Sequence, residues 1–307
     1  MEHEIDYMST YSIKDLENLS GIKAHTIRIW EQRYGIVEPK RTPTNIRYYD
    51  SADLKLILKV AMLRRHGIKI SKIAAMSEEE INQEVAKIGG NEENSDQNYV
   101  FLLTNAMLEL DEPLFERTLS TCILQMGLEE TMYEVIQPFL IKIGYLWQTD
   151  SINPAQEHFI TCLLRQKLIV AIDGQTSVDL DHGERFVLYL PEGELHEITL
   201  LFACYVIKKA GHKVIYLGQN LPFEDVKSVY QIYDPQYILS IFTSFPKQNL
   251  MQQYINDLSE ACPSTKILLS GFAVLHSKVK LPANVTLLEK LDDIHKSLPE
   301  KQSVVAD

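Results

Sequence analysis

The chain has 307 residues, of which 45% are apolar and 23% are charged, so it is long enough for two or three domains with buried cores. It contains no run of 18 apolar residues and no basic-then-apolar N-terminus, which argues against a membrane span or a signal peptide and favours a soluble cytoplasmic protein. The net charge of −12 by itself argues against nucleic acid as a partner.

The charge is unevenly distributed, and this reverses the argument. Residues 11–75 contain 13 Lys/Arg and 6 Asp/Glu, a local charge of +7. The remaining residues contain 17 basic and 36 acidic side chains, a local charge of −19. A basic head on an acidic body is typical of a protein in which one module contacts phosphate and the rest repels it. We therefore expect residues 11–75 to bind DNA.

The basic segment has the pattern of a helix-turn-helix. Helices are predicted at about 12–19, 23–34 and 51–66, with a short fourth helix from 71. Ser20 and Gly21 form a tight turn before the second helix, which suits a recognition helix in the major groove. Ile27 and Trp30 are expected to face inward. The exposed face is expected to carry His25, Thr26, Arg28, Glu31, Gln32 and Arg33.

The loop that leads into the third helix has the composition of a phosphate-binding wing. Cations, phenols and short polar side chains can all donate hydrogen bonds to phosphate oxygens. The candidate donors are Arg41, Thr42, Asn45, Arg47, Tyr48 and Tyr49. Judged by spacing alone, the alternative is a small solvated three-helix domain whose positive charge does not serve DNA binding.

Two strings resemble a known family of regulators. Residues 26–35 read Thr-x-Arg-x-Trp-Glu-x-Arg-Tyr-Gly and residues 47–49 read Arg-Tyr-Tyr, which resembles the MerR-type winged-helix head over residues 11–75. The resemblance implies binding as a dimer to an inverted repeat in double-stranded DNA. It assigns Arg28 and Arg33 to the recognition helix, and Arg47 and Tyr48 to the wing.

The sequence predicts a multidomain α and α/β chain: a winged helix-turn-helix head at 1–80, a linker at 81–97, a bundle at 98–180 and a sheet domain at 181–300. Four helical stretches separated by short breaks predict a four-helix bundle, at about 98–110, 113–126, 128–147 and 153–174. Short apolar runs that alternate with helices then predict a doubly wound five-stranded parallel sheet of the Rossmann-like kind. Its strands are expected at 186–190, 214–217, 237–242, 267–269 and 285–288, and its helices near 194–210, 222–231, 246–260 and 291–298.

The cysteines do not form a metal-binding pattern. They are Cys122, Cys162, Cys204 and Cys262. None of these residues has metal-ligand spacing to another, and each has apolar neighbours in sequence. We expect four reduced, buried thiols, and we expect the effector to differ from the metal ions that cysteine-rich MerR-type relatives detect.

Two clusters in the body carry candidate ligands. Glu194 and His196 follow the first strand of the sheet, at the carboxyl edge where doubly wound folds bind ligands, and they open the predicted first helix. His196 can ligate a metal through one ring nitrogen while Glu194 orients the other, although a surface histidine is the alternative. In the bundle, Trp147 alone reads as core, and Glu157 with His158 as a solvated helix start.

Together these clusters resemble a cofactor-binding module. A bundle followed by a sheet with Glu-x-His after its first strand resembles the cobalamin-binding module. Trp147, nine residues, then Glu157-His158 resembles the signature of the CarH/LitR group of adenosylcobalamin-dependent MerR-type regulators. With the head, the resemblance covers about residues 11–290. It implies cobalamin as cofactor, with adenosylcobalamin favoured.

The resemblance also implies roles for individual residues. His196 would be the lower axial cobalt ligand, and Trp147, Glu157 and His158 would pack over the upper, adenosyl side. The dimethylbenzimidazole tail would enter the sheet domain, where the tail-binding signatures fall on Ser240 and Gly271. The implied function is a repressor whose assembly into a dimer or tetramer and whose operator binding respond to the cofactor. If light acts, it would do so by cleaving the cobalt–carbon bond.

Several residues depart from the family pattern. In the family string Asp-x-His-x-x-Gly, this chain has Glu194 in place of the aspartate and Thr199 in place of the glycine. In the Gly-Gly pair, Phe272 replaces the second glycine, and we expect it to crowd the groove that holds the tail. The Ser-x-Leu string ends here in Phe242. Gln148 stands where light-sensing relatives have a histidine that can capture cobalt, and an amide is a poor cobalt ligand.

These departures leave two other hypotheses. In the first, the module binds no corrin and acts through protein–protein contacts. In the second, the module serves an enzyme, as in cobalamin methyltransferases and mutases. We do not expect an enzyme, because 307 residues leave no room for a substrate barrel beside the predicted domains.

Overall fold

The computed structural model describes residues 10–42, 44–89, 96–148, 152–175, 183–244, 248–290 and 292–298. It divides into two compact units, Met1–Ile160 and Thr161–Asp307. None of the helices within the described ranges is long and apolar enough to cross a membrane.

The first unit begins with the winged helix-turn-helix. Its elements are α1 (Ile13–Ser20), α2 (Ala24–Tyr34), the antiparallel strands β1 (Lys40–Arg41) and β2 (Arg47–Tyr48), α3 (Ser51–Arg65) and α4 (Ile70–Ile73). Ser12 and Asp15 form a capping box at the start of α1, and Asp50 forms another with Asp53 at the start of α3. Gly35 ends α2 in the left-handed conformation, as its position in the sequence predicts.

A further helix, α5 (Glu78–Gly89), completes the core of the head. Ile81 is buried in one cluster with Trp30, Val60 and Ile73, although it lies in an acidic stretch. The segment that we expected to be a linker from residue 81 is therefore helical as far as Gly89. Apolar side chains one turn apart, Ile81 and Val85, are enough to hold this helix on the head.

Four long helices follow, as predicted. They are α6 (Asp96–Glu109), α7 (Glu112–Glu130), α8 (Gln137–Gln148) and α9 (Pro154–Asp173), with a π-helical segment, Thr131–Ile136, between α7 and α8. The predicted break at Gly127 is present, because its φ of 83° and ψ of 164° are not helical. Asp111 caps α7, and Asn153 accepts a hydrogen bond from the backbone N–H of Ala155 at the start of α9.

The second unit contains the doubly wound sheet. Its elements are β3 (Arg185–Pro191), α10 (Ile198–Lys209), β4 (Lys213–Leu221), α11 (Phe223–Tyr233), β5 (Tyr237–Ile241), α12 (Gln248–Ala261), β6 (Lys266–Ser270), α13 (Phe272–Leu275), β7 (Val285–Leu287) and α14 (Asp293–Ser297). The strands are parallel in the order β4-β3-β5-β6-β7, which confirms the predicted topology. The chain reverses its winding between β3 and β5, and such a switch point forms a crevice at the carboxyl ends of the strands.

Two sequence-based expectations about this region are wrong. The first helix of the sheet begins at Ile198 rather than 194, so His196 lies on a loop. Cys162 is exposed, because Leu163 and Leu164 take the inner face of α9 and turn the neighbouring cysteine outward. The other three cysteines are buried, as predicted. Burial raises the pKa of Cys122 to about 12 and those of Cys204 and Cys262 to about 11.

Candidate functional site

The strongest candidate site is the loop between β3 and α10. Nδ1 of His196 lies 2.5 Å from Oε1 of Glu194, and the same oxygen accepts hydrogen bonds from the backbone N–H groups of Leu195 and His196. The other oxygen, Oε2, accepts from the N–H groups of Thr243 and Ser244, each at 2.7 Å. Glu194 therefore joins the loop after β3 to the loop after β5, at the switch point of the sheet.

This environment settles the charge of Glu194. Burial opposes ionisation of the carboxyl, but hydrogen bonds from the His196 side chain and from the backbone of Ser244 and His196 outweigh it and lower the pKa of Glu194 to about 2. An ionised Glu194 accepts a hydrogen bond from Nδ1–H of His196, so a neutral imidazole has its lone pair on Nε2. The side chain of His196 is 56% exposed while that of Glu194 is 2% exposed. The buried Glu194 thus fixes the orientation of the imidazole, and the imidazole remains accessible from solvent, as a metal ligand requires.

The site does not have the donor set for a bare metal ion. Across the residues described here, no group of three or more His, Cys, Asp or Glu side chains could hold one. A single oriented imidazole instead fits a metal that arrives with its other ligands already attached.

A second carboxylate holds the other end of the same loop. Glu197 is buried, and its Oε1 lies 2.6 Å from Nε of Arg165 on α9. Its Oε2 accepts a hydrogen bond of 3.0 Å from the phenol of Tyr216 on β4. This cluster was not predicted from the sequence, because its three members are far apart in the chain and no local pattern joins them.

Ser240 and Gly271 lie at the ends of the neighbouring strands β5 and β6. Ser240 is fully buried, and its Oγ has no hydrogen-bond partner among the described residues. Gly271 has a φ of +107°, and a Cβ there would lie 2.5 Å from the carbonyl oxygen of Phe242. Only glycine fits this close approach. Gly271 is therefore required by the packing of the chain itself, whereas the orphaned hydroxyl of Ser240 is a feature expected where a ligand enters.

Phe272 takes a position that the sequence did not indicate. Its side chain is among the exposed large apolar groups, at 62%. The ring stacks on His276 with a centroid distance of 4.1 Å. Thr199, the other departure from the family pattern, is half-buried in the first turn of α10.

The predicted upper-face residues belong to the first unit. Trp147 lies on α8, but its side chain is outside the part of the structure that is described. Glu157 and His158 are together in the first turn of α9, with 3.6 Å between Oε2 and Nδ1. The Glu157 side chain is half-buried and the His158 side chain is exposed. Gln156 fixes this turn by donating to the backbone carbonyl of Leu108 on α6.

The head presents most of its predicted DNA-binding residues to solvent. His25, Arg28 and Arg33 are exposed along α2, and Thr26 is half-buried beside His25. In the wing, Arg41 donates to Oδ1 of Asn45 at 2.7 Å, and both residues are exposed. Arg47 and Tyr48 are half-buried on β2.

Two residues that we assigned to the DNA-binding surface are structural instead. Tyr49 is fully buried, so its phenol cannot hold phosphate as predicted. It donates a hydrogen bond to Oε1 of Glu31, which is half-buried and does not belong to the exposed face of α2. Both side chains are withdrawn from the surface because the end of the wing packs against α2 at this point.

Comparisons with known proteins match both halves of this description. Residues 11–80 match the family model of the MerR HTH family regulatory protein, and residues 102–171 match that of the B12 binding domain. Both matches end before the sheet, which begins at Arg185, so they cover the head and the helical bundle.

The relatives extend over most of the chain. The HTH-type transcriptional repressor CarH of Myxococcus xanthus is 26% identical over 234 residues, which cover 75% of this chain and 77% of the relative. The repressor CarA of Myxococcus xanthus is 25% identical over 264 residues, covering 85% and 86%. The solved monomethylamine corrinoid protein of Methanosarcina barkeri matches with a TM-score of 0.51 at 12% identity, covering 66% of this chain and 97% of that chain, which shows the fold alone.

The two curated relatives are transcriptional regulators rather than enzymes. The chain therefore joins a MerR helix-turn-helix to a B12-binding domain, and it is homologous to the CarH and CarA transcriptional repressors.

Proposed function

We propose that this protein is a DNA-binding transcriptional repressor of the cytoplasm whose operator binding is controlled by cobalamin. The observation that carries the proposal is the imidazole of His196, which is oriented by a buried, ionised Glu194 at the switch point of the sheet. The same chain carries a MerR-type head, through which a bound ligand would regulate DNA binding.

The residues present fit the cofactor. A corrin ring brings four nitrogen ligands to cobalt, so the protein needs to supply only one imidazole from below, and His196 would supply Nε2. Ser240 and Gly271 would hold the tail, and the buried hydroxyl of Ser240, which has no partner within the described residues, supports this assignment. Glu157 and His158, with Trp147, would contact the upper ligand. This last assignment rests on the resemblance of their spacing to the CarH/LitR signature.

The adenosyl form and a light response belong to the same proposal. When bound, adenosylcobalamin supplies a cobalt–carbon bond that light can cleave. The protein would respond through the residues that contact the adenosyl group, and the head would then release its operator. Because Gln148 replaces the histidine of light-sensing relatives, we do not expect a stable second imidazole ligand at that position after illumination, and His158 is the alternative donor.

The head would bind the operator as follows. Arg28 and Arg33 are exposed on α2 and would enter the major groove, while Arg41 and Arg47 would contact phosphate from the wing. Binding to an inverted repeat requires a homodimer or a tetramer. The local positive charge of residues 11–75 supplies the attraction to phosphate that is independent of sequence.

Purified protein tests this function directly. The protein is incubated with adenosylcobalamin in the dark, gel-filtered, and assayed for operator binding before and after illumination. We expect visible absorbance to travel with the protein and operator affinity to differ between cofactor-loaded and cofactor-free samples. His196→Ala is the matched variant, since it removes the ligand and leaves the head intact. A protein that retains no absorbance at any cofactor concentration would favour the rival hypothesis, in which the module acts through protein contacts.

A further inference from the structure

The loop that carries His196 is held at both ends by carboxylates that point in different directions. Glu194 fastens the loop to the segment after β5 through Thr243 and Ser244. Glu197 fastens it to α9 and β4 through Arg165 and Tyr216. The imidazole of His196 lies between these two anchors in sequence.

Glu197, the second anchor, is buried and both of its carboxylate oxygens have a partner. The Glu197 side chain is 6% exposed, and both of its oxygens have a partner: Arg165 at 2.6 Å and Tyr216 at 3.0 Å. Its backbone carbonyl accepts the hydrogen bond of Leu201 and so starts α10. A buried carboxylate with two partners fixes the backbone that carries it, because loss of Arg165 leaves its charge uncompensated and loss of Tyr216 leaves one oxygen without a donor.

Further contacts restrict the same loop. The side chain of Gln219 donates to the carbonyl of Leu195 at 2.6 Å, and Asn220 accepts from the N–H of Gly193 at 2.8 Å. Both residues follow Tyr216 on β4. The loop is thus held against one strand along its length, and Arg165 is its connection to a helix.

We propose that Glu197 is a positioning residue for the His196 imidazole, and that Arg165 acts through Glu197 to couple helix α9 to the cobalt ligand. This inference rests on the proposed function, in which His196 ligates cobalt. Helix α9 carries Glu157 and His158 in its first turn and Arg165 further along. A displacement of α9 at Arg165 would therefore pull on the loop that carries His196.

Three variants and one control test the coupling. Glu197→Gln keeps the hydrogen bond to Tyr216 but removes the ion pair, Arg165→Ala removes the cation, and Arg165→Lys restores the charge. Arg185→Ala is the matched control. It deletes another arginine ion pair of this unit, to Asp234 at 2.9 Å, at the opposite end of β3.

The first readout is the absorption spectrum of the cobalamin complex, which reports how much cobalt carries a protein imidazole. We expect Glu197→Gln and Arg165→Ala to lower cobalamin affinity by about tenfold, at the lower end of the effect of outer-shell partners. The His-ligated fraction should fall with it, Arg165→Lys should recover most of the loss, and Arg185→Ala should match the unmodified protein. An unchanged spectrum and affinity in both Glu197→Gln and Arg165→Ala would overturn the proposal.

The second readout needs no cofactor. Amide hydrogen exchange in the cofactor-free protein should be several-fold faster at residues 195–197 in Arg165→Ala, with the exchange of β5 and β6 unchanged. Unchanged exchange at these amides contradicts the anchoring role even if no corrin binds. If the unmodified protein takes up no corrin while the exchange effect is present, the cobalamin function fails and the anchoring of the loop stands.

Discussion

The phenol of Tyr49 donates a hydrogen bond to the carboxylate of Glu31, and this contact fastens the end of the wing to helix α2. Burial, followed by the hydrogen bond to Glu31, raises the pKa of Tyr49, so the phenol stays protonated and remains a donor at physiological pH. Helix α2 and the end of the wing are therefore held together by a side-chain contact.

Tyr49→Phe should destabilise the head. It removes the donor and leaves a half-buried Glu31 carboxylate without it, at a cost of about 1.5 kcal/mol. Denaturant unfolding measures the loss. Tyr48→Phe is the control, because Tyr48 is half-buried on β2 rather than fully buried, and it should change stability much less. Equal free energies of unfolding for the two variants would show that the hydrogen bond between Tyr49 and Glu31 does not stabilise the head.

Arg28→Ala should weaken operator binding. If Arg28 contacts a base, its loss should cost about 1–3 kcal/mol of binding free energy. If it contacts a phosphate instead, its loss should reduce the slope of log affinity against log salt concentration by about one. Gel-shift titrations at several salt concentrations distinguish the two roles. Arg117→Ala, on the exposed face of α7, is the control outside the head. An unaltered operator affinity in Arg28→Ala would exclude this residue from the interface.

Gly271→Ala should destabilise the sheet domain by about 2 kcal/mol or more, since a Cβ would meet the Phe242 backbone and the left-handed φ is unfavourable for alanine. Thermal unfolding provides the measurement. Gly144→Ala is the matched control, because the described structure places no atom within 4 Å of a Cβ there and its φ is not left-handed. We expect that variant to be neutral or slightly more stable.

Thiol labelling should distinguish Cys162 from the other cysteines. Cys162 is exposed, whereas the pKa values of Cys122, Cys204 and Cys262 are raised by burial to about 11 or 12, so at pH 8 these three are overwhelmingly protonated as well as inaccessible. Native protein should react at Cys162 first, and the other three should react only after unfolding. Fast labelling of native Cys162→Ser would contradict the burial of the remaining thiols.

The sequence predicted features that depend on near neighbours. Ser12, Gly35 and Asp50 act within a few residues as helix caps or stops, and continuous apolar runs identify buried parallel strands. The candidate ligand His196 and its partner Glu194 are two residues apart, so their pairing was also predictable. The fold class and the identity of this pair followed from such local patterns.

The remaining features depend on residues distant in sequence. Glu194 binds the backbone of Thr243 and Ser244, and these bonds keep residues 194–197 out of the helix that their composition favoured. The partners of Glu197 lie on α9 and β4, and Tyr49 reaches Glu31 across the turn of the wing. No periodicity identifies a partner at such separations, so these contacts required the structure.

The proposed regulation by cobalamin requires that the imidazole of His196 binds cobalt. Electron paramagnetic resonance of the reduced cob(II)alamin complex tests this directly in protein labelled with ¹⁵N-histidine. An axial ¹⁵N nucleus splits the cobalt lines into doublets, whereas the unlabelled ¹⁴N of the cofactor's own benzimidazole splits them into triplets. We predict doublets in the labelled protein that disappear in His196→Ala. Triplets in the labelled protein would contradict the assignment, since they would show that a nitrogen outside the protein's histidines occupies the axial position.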